Sequence, residues 1–149
     1  MLKAILAVPT LALSVIALSA CVPSTVSEDV DSASKADVVI VQGKVAYRER
    51  MALPPGSVVV VRVDDISRAD APATTIEEQR IVTTAQQVPI AFSIKVPRNQ
   101  LPGPIGNTVS VRIEDQQGKL LWINDTITPI EPDEKYPVVD LGTIMLVKV

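Results

Sequence analysis

The chain has 149 residues, of which 47% are hydrophobic and only 3% aromatic, with a formal net charge of −3 and no histidine. This length suits one domain with a core of Val, Ile and Leu, and is too short for two ordinary domains. The acidic balance argues against a nucleic-acid partner, because phosphate binding needs a basic surface. Without imidazole, and with Cys21 as the single thiol, most hydrolytic and metal chemistry lacks its usual side chains.

The first twenty residues are typical of an export signal. Lys3 precedes an apolar stretch at residues 4–18, which Pro9 interrupts. Secretory signals have apolar runs of about 7–15 residues, whereas a membrane-spanning helix needs about 20. Residues 1–20 are therefore expected to be removed, which takes away Lys3 alone among the charges and leaves 13 basic and 17 acidic residues, a net charge of −4.

The only cysteine follows the small residues that close this stretch. The sequence Leu18-Ser19-Ala20-Cys21 resembles the bacterial lipobox, in which the chain is cut between Ala20 and Cys21 and the thiol receives a diacylglyceryl group. The resemblance implies that lipid on Cys21, with palmitate-type chains, anchors the protein to a membrane of the cell envelope. No other cofactor is expected. Val22 stands where inner-membrane lipoproteins of enterobacterial type carry Asp, so the resemblance favours the outer membrane, with the domain facing the periplasm.

Residues 21–37 are rich in serine and acidic residues and show no sustained periodicity. This composition predicts a lipid-anchored flexible linker, and a partner-binding segment is the alternative. A flexible chain of this length would hold the domain roughly 20 Å from the lipid surface.

From Val38 onward the dominant pattern has a period of two, which predicts half-buried strands. The apolar faces of five such strands are predicted at the alternate positions of residues 39–47, 59–63, 88–96, 109–113 and 141–147. Residues 74–84 favour a further strand but would also tolerate a helical turn. Asp115 to Gly118 predicts a hairpin turn into a strand at residues 120–123, whereas residues 97–107 and 128–137 predict irregular connections.

About seven short strands with turn signals between them, and no convincing helix, predict an all-β fold. We expect one β-sandwich of immunoglobulin-like or transthyretin-like character at residues 38–149.

Three stretches carry a family resemblance. Residues 43–56 contain Tyr-Arg-Glu-Arg and Leu-Pro-Pro-Gly, residues 65–72 read Asp-Ile-Ser-Arg-Ala-Asp-Ala-Pro, and residues 87–92 read Gln-Val-Pro-Ile-Ala-Phe. In this order and spacing they resemble the YbaY-like lipoproteins, which are grouped with YscW, the pilot lipoprotein of type III secretion. The resemblance implies a lipid-anchored envelope β-sandwich. For the YscW branch it also implies a pilotin, which binds a secretin subunit and guides it to the outer membrane.

The charged residues in the first two of these stretches, at 47–50 and 65–68, have two interpretations. In the structural one, Tyr47 places its ring in the core and its hydroxyl at the rim, while its neighbours form charge pairs at strand ends. In the functional one, a polar patch binds a partner peptide or a small anion, and its candidate residues are Tyr47, Arg48, Glu49, Arg50, Asp64, Asp65 and Arg68.

Other constellations favour structural interpretations. Asp64 and Asp65 are expected to be solvated acids at a strand end, although Asp64 with Glu114 or Asp125 would offer the carboxylate pair of a glycosidase. Residues 115–118 and 131–134 carry oxygen ligands without EF-hand spacing, so no metal site is predicted. Trp122, among apolar neighbours, is expected in the core, with an exposed interface position as the alternative.

The sequence therefore predicts a non-enzymatic envelope lipoprotein that binds an envelope or secretin-type partner or assists assembly. The alternative is a glycan-binding, ligand-binding or carbohydrate-active envelope protein.

Overall fold

The computed structural model describes residues 38–103, 105–133 and 135–149. The expected signal peptide, the cleavage site at Ala20 and Cys21, and the linker lie outside these residues. The described residues form eight strands and one short 3₁₀ turn at Arg98–Gln100. The strands are β1 (Val38–Tyr47), β2 (Val58–Asp65), β3 (Thr74–Val82), β4 (Ile90–Pro97), β5 (Asn107–Glu114), β6 (Leu120–Ile123), β7 (Thr128–Pro129) and β8 (Val138–Lys148).

All eight strands belong to one sheet, in the order β3, β2, β5, β6, β8, β1, β4, with the short β7 paired to β5. The pairing of β1 with β8 is parallel, and the other pairings are antiparallel. The sheet curls over the core until its two end strands, β3 and β4, lie side by side. The all-β prediction is confirmed, and the segment predicted as a strand or a helical turn forms a strand over Thr74–Val82.

The core consists mainly of β-branched side chains at alternate strand positions, as the period-two pattern predicts. The aliphatic core residues on the strands are each less than 8% exposed. They are Val39, Val41, Val45, Val59, Val61, Val63, Ile90, Ile94, Val96, Val109, Val111, Ile113, Ile144 and Leu146. Two loop residues, Leu53 and Ile130, join them from the connections before β2 and after β7. The loops as well as the strands therefore close the core.

The last strand departs from the predicted alternation. The expected inward face comprised Leu141, Thr143, Met145 and Val147, yet Met145 and Val147 are each 40% exposed. The buried residues of this part of β8 are instead Ile144 and Leu146. The prediction of a strand was correct and the assignment of its inward face was wrong.

A β-bulge explains the change of face. In the pairing of β1 with β8, Leu141 and Gly142 together oppose Gly43. An extra residue on one strand shifts the alternation of every later side chain by one position. Gly142 has a φ of +64°, which favours glycine, so this residue accommodates the bulge.

The strands run between two ends of the domain, which we call the N-terminal pole and the hairpin pole. The N-terminal pole is where β1 and β5 begin and β2 ends, at Val38, Asn107 and Asp65. The hairpin pole is where β1 ends, at Tyr47, and where the predicted β5–β6 turn lies. In this turn the Asp115 carboxylate accepts hydrogen bonds from the N–H groups of residues 117 and 119, each at 2.9 Å. No helix within the described ranges is long and apolar enough to cross a membrane.

Candidate functional site

The residues of the predicted polar patch lie at opposite ends of the domain. Tyr47 ends β1 at the hairpin pole and residues 48–50 follow it, whereas Asp65 ends β2 at the N-terminal pole and Arg68 follows it. The length of β2 separates the two groups by about 23 Å. The structure therefore does not bring these candidates into one patch.

At each pole, the candidate residues make hydrogen bonds to residues close to them in the chain. Tyr47 is 7% exposed, and its hydroxyl donates to the carbonyl of Met51 at 2.9 Å. Burial, and then the nearby carboxylate of Glu49, raise the pKa of Tyr47. At the other pole, Asp65 accepts a hydrogen bond from the N–H of Ser67 at 2.8 Å, and hydrogen bonding to Ser67 lowers the pKa of Asp65. Tyr47 thus lies as the structural interpretation predicts, whereas the expected charge pairs of Arg48, Glu49 and Arg50 are not found among the described residues.

The outer face of β3, β2 and β5 carries a row of charged side chains, which we call the charge ladder: Arg62, Asp64, Glu78, Arg80, Arg112 and Glu114. Ion pairs form along it both between strands, with 3.2 Å between Arg80 Nη2 and Glu114 Oε2, and within β5, with 2.6 Å between Arg112 Nε and Glu114 Oε1. The hydrogen bond from Arg112 is the largest cause of a lowered pKa at Glu114. Val60 lies on this face opposite Arg80 and Arg112 and is fully buried, so the ladder covers apolar surface.

Asp64 corrects an expectation, because it is buried rather than solvated. Only 5% of it is exposed, and it accepts hydrogen bonds from Thr75 Oγ1 at 2.8 Å and from Ser110 Oγ at 2.5 Å. Both hydroxyls come from the strands that flank β2, and the Arg62 guanidinium lies 3.4 Å away. The sequence showed the strand end but not the neighbouring strands that bury it.

The pairing of β2 with β5 shows how far apart Asp64 and Glu114, the carboxylate pair considered for a glycosidase, lie. Asp64 lies opposite Thr108 near one end of the β2–β5 pairing, and Glu114 lies opposite Val58 at the other end. Six residue steps along a strand correspond to about 20 Å, well beyond the 5–9.5 Å that a glycosidase pair requires. The charge ladder is therefore a stabilising network, and the pair of Asp64 with Glu114 does not form a hydrolytic site. Within the described ranges, no cluster of three or more acidic or thiol side chains could hold a metal ion.

The strongest candidate site is the seam between β3 and β4. Among the described residues, β4 makes backbone pairs only with β1, and β3 only with β2. Each strand therefore keeps one edge of N–H and C=O groups without a sheet partner. Such edges are sites where another extended chain can pair.

Two cavities that share Ala91 lie beside β4 and together form what we call the seam groove; the larger extends over β1 and β8 and includes Gln79 from β3. The larger, of about 590 Å³, is lined by Gln42, Gly43, Lys44, Gln79, Ala91, Phe92, Ser93, Asp140, Gly142 and Thr143. The smaller, of about 490 Å³, is lined by Ile81, Thr83, Gln86, Gln87, Pro89, Ile90 and Ala91. Ala91 on β4 lines both cavities, so they adjoin at this residue.

Polar groups in the seam groove are positioned to recognise a ligand. Gln79 lies on β3 facing β4, and its Oε1 is buried without a hydrogen-bond partner among the described residues. A buried acceptor without a donor is costly, so a bound N–H would relieve it. At the other side of the groove Asp140 accepts from the N–H of Gly142 at 2.8 Å and from Gln42 Nε2 at 3.3 Å. These two bonds and the charge of Lys44 lower the pKa of Asp140 and favour its ionised form.

Glycine shapes the floor of the groove. A Cβ at Gly43 would lie 3.0 Å from the carbonyl oxygen of Gly142 and 3.1 Å from the ring of Phe92. The absence of a side chain lets the β8 backbone and the Phe92 ring approach β1 at this point. An isolated glycine inside an alternating strand is a sequence signal for such an approach. Gly43 is therefore the sequence signal for this part of the groove, although the alternation of β1 by itself predicts only its position on a strand face.

Comparisons with known proteins agree with this fold. The model of the type III secretion system lipoprotein chaperone family, YscW, matches residues 36–141. The chain belongs to this family, as the three resembling stretches predicted.

Two relatives make the likeness concrete. The uncharacterized lipoprotein YbaY of Escherichia coli K12 is 33% identical over 92 residues, which cover 60% of this chain and 47% of that protein. The chain thus spans about half the length of this curated relative. An alternative pilotin from the type II secretion system of Vibrio cholerae has a structure that matches with a TM-score of 0.66 and 38% identity, covering 76% of this chain and 98% of that one. These relatives support a lipoprotein with an accessory or chaperone role.

Proposed function

We propose that this protein is a non-enzymatic, pilotin-like lipoprotein that is anchored through Cys21 to the outer membrane and faces the periplasm. Its partner is a secretin-type envelope protein, and it holds an extended segment of that partner in the seam groove. The family membership and the likeness to a pilotin support the class of partner.

The seam itself carries the proposal for how the partner binds. An extended segment placed beside β4 would pair with its unpartnered edge, and main-chain hydrogen bonds would supply affinity. Alternate side chains of that segment would face the cavities on either side of Ala91. An N–H of the same segment would satisfy the buried Oε1 of Gln79.

Site-specific photocrosslinking tests the binding mode. A photoreactive residue at Ser93, which is exposed and lines the groove, is expected to capture a secretin subunit in cells. The same residue at Gln117, exposed in the β5–β6 turn, is the matched control and is expected to capture none. Ala91→Arg would fill the groove from an exposed position and is expected to reduce the capture at Ser93 several-fold. Equal capture from both positions, or capture unaffected by Ala91→Arg, would contradict the proposal.

Deletion tests the pilot role separately. Loss of the secretin from the outer-membrane fraction after deletion is expected, and restoration by the wild-type gene would complete the test. Normal secretin placement in the deletion strain would contradict the pilot role.

The anchor has its own test. Cys21→Ser is expected to abolish lipid mass on the chain and to block removal of residues 1–20, because the modified thiol is what directs lipoprotein processing. The measurement is the intact mass of the purified protein, together with its distribution between membrane and soluble fractions. The same mature mass and membrane retention in the variant would contradict lipidation at Cys21.

A further inference from the structure

Three large apolar side chains are exposed together at the N-terminal pole. Ile66, Ile105 and Ile127 are 40%, 85% and 68% exposed. They line one cavity of about 480 Å³, which is completed by Ser67, Gly106, Asn107 and Pro129. None of these seven residues is charged, although 21% of the chain is. Contiguous exposed apolar surface of this kind marks an interaction site rather than an ordinary solvated loop.

Backbone contacts fix the three isoleucines, which come from three separate connections. The N–H of Ile66 donates to the carbonyl of Gly106 at 2.7 Å, which joins the connection after β2 to the one before β5. The third connection is held by the pairing of β7 with β5 and by the N–H of Ile130, which donates to Asn107 at 3.0 Å. The apolar tip is therefore a built feature of the pole.

The position of the tip indicates what covers it. The described part of the chain begins at Val38, which opens β1 at the same pole. Cys21 lies 17 positions earlier, and an extended chain of that length spans at most about 60 Å. A lipid on Cys21 would confine the domain near the bilayer by this pole, so even a weak apolar contact with lipid would be made at high effective concentration.

We propose that Ile66, Ile105 and Ile127 insert into the boundary between headgroups and acyl chains of the membrane to which Cys21 is anchored. The inference rests on the proposed lipidation. Uncharged loop tips with aliphatic side chains suit this boundary, where apolar groups enter and the flanking charges stay in water. Asp65, at the edge of the tip, turns its carboxylate to the N–H of Ser67. The insertion would orient the domain with its hairpin pole away from the lipid.

Depth-dependent quenching tests this orientation in the lipidated mature protein. Lipidation uses the only cysteine of the chain, so an added cysteine is a unique labelling site. Ile127→Cys places a fluorophore in the tip, and Val82→Cys places one at a site that is 62% exposed at the hairpin end of β3. Both proteins are reconstituted into phosphatidylethanolamine and phosphatidylcholine bilayers that contain a spin-labelled lipid quencher. We expect quenching at position 127 to exceed that at position 82 at least threefold.

Two further measurements separate the possible failures. Replacing Ile66 and Ile105 by Ser in the Ile127→Cys protein is expected to reduce the quenching at position 127 by about half or more. Equal quenching at positions 127 and 82 in a protein whose mass shows the lipid would overturn the orientation while leaving the anchor intact. If the mass of the purified protein shows no lipid, the proposed lipidation of Cys21 is wrong. The inference that rests on it then fails before any fluorescence is measured.

Discussion

The ring of Tyr47 stacks on the indole of Trp122, with 4.5 Å between ring centroids and 10° between ring planes. The pair joins the end of β1 to β6, on opposite sides of β8 in the sheet. Trp122 is 2% exposed, so the prediction that it belongs to the core is confirmed. In a chain with so few aromatic residues, this contact fills the core near the hairpin pole.

Removing the indole should create the largest cavity available from one substitution near that pole. Trp122→Ala is expected to lower the free energy of unfolding by about 3–5 kcal/mol. Tyr47→Phe keeps the stacked ring and removes only the hydroxyl bonded to Met51, so a loss of about 1 kcal/mol is expected. Urea unfolding followed by circular dichroism measures both. Similar losses in the two variants would contradict a dominant role for the indole.

Two adjacent aspartates provide a matched comparison of burial. Asp64→Ala leaves the Thr75 and Ser110 hydroxyls without their acceptor and is expected to cost about 2–3 kcal/mol of stability. Asp65→Ala changes a half-buried residue whose carboxylate accepts a local hydrogen bond from the N–H of Ser67, and is expected to cost less than about 1 kcal/mol. Thermal or urea unfolding of the two variants decides the matter. A larger loss for Asp65→Ala would reverse the assignment of the buried carboxylate.

The charge ladder predicts a pH dependence through Glu114. The guanidinium groups of Arg112 and Arg80 lower the pKa of Glu114 in the folded state from its ordinary value of 4.5. The ionised form is thus favoured by folding, and its stabilisation is complete above pH 4.5 and is lost as the pH falls through the lowered pKa.

Glu114→Gln isolates this contribution, because other carboxyls such as Asp65 and Asp140 titrate in both proteins. The midpoint temperature of wild type should exceed that of the variant at pH 6, and the difference should shrink as the pH falls below 4.5 through the lowered pKa of Glu114. A difference that stays constant over this range would show that the ladder does not stabilise the charged form.

Gly43 predicts a steric effect at the floor of the seam groove. Gly43→Ala places a Cβ against the Gly142 carbonyl, which belongs to the backbone and cannot rotate away. Overpacking of this kind costs about 1–3 kcal/mol, which urea unfolding would show. Ser93→Ala, in the same groove but on an exposed position, is the control and should unfold like wild type within about 0.5 kcal/mol. Equal stability of Gly43→Ala and wild type would mean that β8 can move away from β1.

The sequence predicted the strands well because their alternation depends on local spacing. It predicted the inward faces of β1, β2, β4 and β5, where no bulge interrupts the side-chain alternation. It failed for the second half of β8, because the bulge at Gly142 depends on the register with β1. The register of two paired strands depends on both segments together, so the hydrophobic periodicity of either segment alone does not predict it.

The candidate site was harder to predict than the fold for the same reason. Gln79 and Asp140 belong to different strands, far apart in the chain, and meet only around the seam. The candidate residues within 47–50 and within 65–68 are neighbours in the sequence, which predicts one patch, yet the two groups lie at opposite ends of the domain. The relation between sheet edges, which creates the groove, follows from topology alone.

The parallel pairing of β1 with β8 has a consequence for how the protein is made. Gln42 and Asp140 are 98 positions apart and face each other across this pair. The first strand therefore lacks one of its two neighbours until the last strand has been synthesised, and contacts of such long range form slowly. The sheet can therefore be completed only after residues 138–148 have been made.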